Sequence, residues 1–232
     1  MEKAIQEAAN GYAAWLEPSH LHFHSGGMAD VRAYWGRMMQ REGRGEPDKW
    51  RAVVVDPAGN RAGAAIEQGE GPYHVLGFQA EQEGLYTVVL ENSPGISGTM
   101  PEENCLRHLQ WARLDVPVGH HVHGTPPAAI GDGLDIVPGH FLEYMPGDKI
   151  NLTVLYKGEP LPGAEVKATN HLFTGTGYPL SGITGPRGEV SLTFNAKGHW
   201  MFIVTHTDHS DRKAGEYHGT VYTTTLVVPG VR

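Results

Sequence analysis

Apolar and polar positions alternate with a period of two over much of the chain, the spacing of a strand with one face in a core. In AAWLEPSHLHFHS (13–25), Trp15, Leu21 and Phe23 fall on one face while His20, His22 and His24 fall on the other. Further strands are predicted over 28–38, 49–59, 73–80, 84–92 and 110–118. The second half continues with 134–137, 149–158, 164–170, 189–196, 199–208 and 217–228. Turn signals at Pro57–Asn60 and Glu70–Pro72 separate the early ones. Helical patterning is confined to EKAIQEAANG (2–11), which Asn10-Gly11 stops, and to one or two turns in PEENCLRHL (101–109). The stretch 119–133, with repeated Gly and Pro, reads as a linker.

This pattern predicts an all-β protein of two small immunoglobulin-like β-sandwich domains, 1–131 and 132–232, with a short N-terminal helix and a short helical turn before the linker. Gly84-Leu-Tyr-Thr-Val-Val-Leu and Gly198-His-Trp-Met-Phe-Ile-Val echo one another, each a glycine before an aromatic-led strand late in its half. Gly 31 and Pro 16 in 232 residues agree with a turn-rich fold and disfavour a helical bundle. No apolar run approaches the ~18–20 residues of a membrane helix, so no membrane span is expected. Lys+Arg 18 against Asp+Glu 26, a formal charge of −8, argues against nucleic acid as a partner.

One cysteine excludes an internal disulfide and any thiolate cluster, whereas 14 histidines call for an account. Imidazole binds borderline transition metals, so metal binding is the first chemistry to consider. Residues i and i+2 of a strand lie ~6–7 Å apart on one face, close enough for two imidazoles to converge on one ion. Three groups carry such spacing. His20, His22 and His24 form the first, against the alternative of a solvent face that happens to carry His. Gly119-His120-His121-Val122-His123-Gly124 is the sharpest: His121 and His123 repeat the spacing and His120 lies beside them. In the third, His206 and Asp208 share a face at the end of an apolar run, and the strand over 217–228 could pair back and bring His218 near His206. A capped polar hairpin explains those last residues equally well. His74, His108, His140, His171 and His199 are scattered. No nucleophile elbow, His-Glu-x-x-His helix, P-loop or dinucleotide fingerprint occurs, and an enzyme is not expected.

DGLDIVPGHFLEYMPGDKINLTVLYKGEPLPGAEVKAT resembles the NikM-like family, accessory components of nickel/cobalt uptake transporters. AWLEPS, VPVGHHVHG, GHWMFIVTHTD and YHGTVYTTTLVV extend the resemblance over about 15–228. GEPLPGAEV is also similar to immunoglobulin-like and carboxypeptidase-regulatory-like modules. The NikM-like resemblance implies an extracytoplasmic, periplasmic β-protein that holds Ni²⁺ or Co²⁺ and passes it to a membrane transporter. The chain shows no signal peptide, which places it in the cytoplasm if the sequence is complete.

The leading expectation is a soluble protein that sequesters or delivers nickel or cobalt, zinc or copper being the alternatives. Its ligands would come from His121 and His123 at the centre, with His120, His20, His22 and His24, and from His206 with Asp208. Because neutral imidazole is the ligand, binding should weaken as pH falls through the ordinary His range near ~6.5. The alternative is a β-sandwich adhesion or recognition module with incidental histidines. A non-haem metal oxidoreductase ranks third, since no tyrosine pair can be set beside the His-x-His.

Overall fold

The structure, a computed structural model, describes residues 3–232. One helix, α1 (Lys3–Ala9), opens it; Glu2, the first residue of the expected helix, lies outside the described residues. The helix buries Ala4 and Ala8, and the Glu7 carboxylate accepts a 2.8 Å hydrogen bond from the Trp35 indole. The first half supplies β1 (Ala13–Pro18), β2 (Gly27–Arg37), β3 (Gln40–Gly43), β4 (Trp50–Val55), β5 (Arg61–Gln68), β6 (His74–Ala80), β7 (Gly84–Ser97) and β8 (Leu106–Val118). The second supplies β9 (Leu134–Pro138), β10 (Lys149–Tyr156), β11 (Glu159–Pro160), β12 (Glu165–Asn170), β13 (Leu180–Ile183), β14 (Glu189–Thr193), β15 (Gly198–Asp208) and β16 (Gly219–Val231). The protein is all-β, with sandwich-like sheets. Among the described residues no helix is long and apolar enough to cross a membrane.

Twelve strands form one sheet in the order β1-β2-β6-β5-β4-β7-β8-β16-β15-β12-β13, with β3 on β2. β9, β10, β11 and β14 form a second, smaller sheet. The large sheet doubles back on itself, and β1 returns to β16, where the Thr225 hydroxyl donates to the Ala14 carbonyl at 2.8 Å. One apolar cluster fills this first enclosure around Trp15, Tyr34, Trp35, Leu90 and Leu114. The small sheet covers the other end of the large one over a second cluster that includes Ile136, Leu152, Phe194, Trp200 and Phe202.

Both clusters share a wall. In β15, Met201 belongs to the first cluster and Trp200, Phe202 and Val204 to the second; in β16, Val227 belongs to the first and Leu226 and Val228 to the second. Successive side chains of a strand point to opposite faces, so a strand covered on both sides reads as a continuous apolar run, as Trp200–Val204 does. The halves are joined by a parallel ladder, β8 with β16, from Leu106↔Gly219 to Leu114↔Val227.

The expected strand over 13–25 ends at Pro18. Residues 19–26 form a loop in which Phe23 alone bridges to another strand. A proline and the Ser25-Gly26 turn interrupt the ladder, and the alternation of His with Leu and Phe has no neighbouring strand to pair with along its length. The expected helical turns over 101–109 shrink to Glu102–Asn104, because Leu106 onward pairs with β7 and β16. β5 was not predicted. Its side chains are largely exposed and carry no apolar alternation, so only its pairing with β4 and β6 defines it.

Candidate metal centre

The loop after β1 and the loop after β8 are clipped together by Phe23. Its side chain is 6% exposed, its backbone forms a parallel bridge with Val118, and the Gly119 N–H donates to its carbonyl at 2.9 Å. Burial of such a ring is worth roughly 1.5–3 kcal/mol, which anchors an otherwise irregular segment. Gly119 then leaves the strand at φ +81, a conformation that favours glycine, with the Glu83 side chain lying over it. Flanking the anchored Phe23, His22 and His24 are both exposed, and His120 follows just beyond the bridge on the other loop.

One ring nitrogen from each of His22, His24 and His120 lies within 4.8 Å of the other two. Ring centroids are 4.9 Å apart for His22–His120, 5.6 Å for His22–His24 and 6.4 Å for His24–His120. Two nitrogens bound tetrahedrally at ~2.0–2.1 Å would sit about 3.4 Å apart. Rotation of exposed side chains by an ångström or so covers the difference. The donor set, three imidazoles without thiolate, suits Ni²⁺, Co²⁺, Zn²⁺ and Cu²⁺. Three ligands leave at least one coordination position free.

The other expected ligands are placed as follows. His20 lies beside this group, its Nδ1 2.9 Å from the Ser19 hydroxyl and its ring edge-on to Phe23. His121 and His123, expected at the centre, are exposed and lie outside the three-nitrogen group; His123 instead lines the neighbouring cavity. A period-2 reading pairs 121 with 123 on one strand face. The chain there is irregular and β8 has ended, so strand spacing no longer fixes where the two rings lie.

His206 and Asp208 sit elsewhere, at the far end of β15. Asp208 accepts from the Tyr156 hydroxyl at 2.6 Å and from the Ser210 N–H and hydroxyl at 2.8 and 2.5 Å, and pairs with Lys157 at 3.5 Å. The hydroxyls of Ser210 and Tyr156 hold its carboxyl far below the usual range. The His206 ring packs 4.7 Å from Tyr156, and burial lowers its pKa. The hairpin register sets Tyr222 opposite His206, so His218 stacks on His209 at 5.5 Å rather than meeting His206. His171 and His199 make one more pair at 4.9 Å. Among the described residues, only the group at 22, 24 and 120 brings three or more potential ligands together.

A cavity of about 290 Å³ adjoins this group, where the two halves meet. His20, His22, His120 and His123 line one side; Phe141, Leu142 and Tyr144 come from the segment after β9. Two hydrogen bonds hold that segment to the 119–133 loop, Gly124 N–H to the Phe141 carbonyl and Phe141 N–H to the Thr125 carbonyl, both 2.8 Å. Beneath lies a buried ion triad. The fully buried Arg113 reaches Asp115 through Nη2 at 2.9 Å and Asp135 through Nη1 at 3.0 Å, and Asp135 also accepts from the Ile130 N–H at 2.9 Å. The triad thereby ties β8, β9 and the end of the loop together. Sequence reasoning missed the cavity wall; His140 and Tyr144 stand in PGHFLEYMPG with no spacing that marks them.

No curated protein matches the chain. Among solved structures, a DUF4785 family protein from Legionella pneumophila aligns at 10% identity and a TM-score of 0.31, over 82% of this chain and 51% of that one. This chain thus spans about half the length of that protein. The D0-D1 domain of intimin aligns at 11% identity and a TM-score of 0.24, over 91% of this chain and 96% of that one. A marsupial T cell receptor aligns at 10% identity and a TM-score of 0.29, over 93% and 74%. The sequence profile of DUF4198, described as a domain of unknown function, matches residues 9–208, and the chain therefore belongs to the DUF4198 family.

Proposed function

We propose that the protein binds a divalent transition metal through His22, His24 and His120. The observation that carries this reading is the approach of three ring nitrogens, from two separate loops, to within 4.8 Å of one another. The loops are held by the buried Phe23 and its bridge to Val118. The resemblance of the second half to NikM-like accessory components supports nickel or cobalt as the ion, and a membrane transporter as the recipient. Intrinsic affinity ranks copper higher, so selection for nickel would rest on coordination geometry and supply.

Calorimetric titration of the metal-stripped protein with Ni²⁺ and Co²⁺ tests the reading. Binding of one ion tighter than ~100 μM is expected, since a millimolar site is worth only ~4 kcal/mol. His24→Ala and His120→Ala should each remove it. No binding, or binding that survives both substitutions, refutes the site.

A second reading, a β-sandwich recognition module with incidental histidines, is favoured by one observation. Among the described residues none hydrogen-bonds the three rings, whereas metal-ligating imidazoles usually have such a partner. That reading expects no divalent ion to raise the unfolding temperature. An ion bound at 100 times its dissociation constant adds ~2.7 kcal/mol to stability.

A further inference from the structure

The cavity beside the three histidines has a composition of its own. His22 and His120 form part of its wall, so a group inside it can reach an ion held by them. Its remaining polar lining is mostly imidazole and phenol: His20, His123, His140 and Tyr144. Tyr144 is 7% exposed and its hydroxyl hydrogen-bonds no described residue. Burial pushes its pKa up to about 12, so it remains a protonated donor. Of the lining charges, Asp115 is engaged by the buried Arg113, while Glu143 and Arg232 face each other at 4.0 Å, both largely exposed. Val122, Phe141, Leu142 and Val228 supply the apolar wall. At about 290 Å³ the space falls just under the ~300–1,000 Å³ range of ligand sites, which suits a small ligand.

Resting on the metal reading above, we infer that this cavity takes a small organic carboxylate with an apolar body, which also ligates the bound ion. The metal supplies a positive charge beside the cavity and a free coordination position, and Arg232 adds a cation to the lining. A carboxylate is the common hard-oxygen donor that matches both. The carboxylate exchanges for water at the ion, with no covalent bond to carbon made or broken. Its body lies against Phe141, Leu142 and Val228. The Tyr144 hydroxyl, a donor that hydrogen-bonds no described residue, lines the same cavity and can serve its second oxygen. A cationic or sugar-like ligand fits less well, because the lining carboxylates Asp115 and Glu143 each face an arginine and the wall opposite the imidazoles is apolar.

Cobalt(II) gives visible bands that report its ligands, so the protein loaded with one equivalent of Co²⁺ is titrated with benzoate and, separately, with acetate. Benzoate should shift the bands saturably and bind at least about tenfold tighter than acetate, a difference of ~1.4 kcal/mol. Phe141→Ala and Leu142→Ala, outside the metal ligands, should cost benzoate that advantage while the cobalt bands still form. Benzoate binding to the metal-free protein should be lost. Bands that form but ignore benzoate at millimolar concentration, or that respond equally to acetate, overturn this inference and leave the metal reading intact. Failure of the cobalt bands to form overturns both.

Discussion

Arg113→Met removes the one counter-charge that the described residues give to two buried carboxylates, and its cost follows from their surroundings. Asp115 and Asp135 are 6% and 2% exposed, and Arg113 donates to both oxygens of each, at 2.9 and 3.4 Å and at 3.1 and 3.0 Å. Without it, Asp115 keeps the Thr87 hydroxyl at 2.8 Å and Asp135 keeps the Ile130 N–H at 2.9 Å. A carboxylate has about four acceptor sites, so each anion is left underbonded and facing a like charge. Breaking a buried ion pair by removing one partner costs about 3–5 kcal/mol, a large part of the ~5–15 kcal/mol that holds a domain folded.

The assay is urea unfolding followed by fluorescence of the five tryptophans. pH supplies an independent signature. In the variant two buried anions face one another without a cation, which favours proton uptake by the folded state. Stability is then gained as pH falls and lost as it rises. The gap between wild type and variant should therefore narrow from pH 7.5 to 5. Asp135→Asn, which takes the triad from a net −1 to neutral and keeps an acceptor oxygen, should cost less. A loss below ~1 kcal/mol for Arg113→Met, or a gap independent of pH, refutes the reasoning.

Two further outcomes follow from the placement of the histidines. His121→Ala should leave Ni²⁺ affinity within about twofold, well under the ~1.4 kcal/mol of a tenfold change, while His120→Ala abolishes calorimetric binding; the reverse pattern would return the site to the residues that spacing alone favours. The metal-free protein should also lose stability on acidification from pH 7.5 to 5.5, read as a lower urea midpoint. Burial lowers the pKa of His74, His108, His199 and His206. The unfolded chain therefore takes up more protons as pH drops through ~6.5, and stability present above that value is lost below it. His108→Gln, which can keep the 2.7 Å contact with Ser97, should flatten this dependence; an unchanged slope would show that His108 charges as readily folded as unfolded.

Most of the strands were legible because burial follows period two. In β6, His74, Leu76, Phe78 and Ala80 are buried, and in β10 Ile150, Leu152 and Val154 are. At 20–24 and 121–123 the rule reaches only part of the arrangement: His22 and His24 do approach one another, and they meet His120 rather than His121 and His123. There the alternation is real in the sequence, but no extended ladder exists to turn it into a shared face. Locally it survives around one residue: Phe23 has a bridge partner, and His22 and His24 flank it.

By itself the sequence determined the β class, the absence of thiolate chemistry and the concentration of imidazole in short segments, because these depend on composition and on neighbours along the chain. Only the tertiary structure decided which imidazoles meet. His22 and His24 reach His120 because Phe23 is buried against the end of β8, a long-range contact that leaves no local mark. The cavity beside them is likewise a product of packing. It exists because two sandwich cores share the β15–β16 wall while their loops, tied by Arg113 and by the Gly124–Phe141 contact, stand apart at one end.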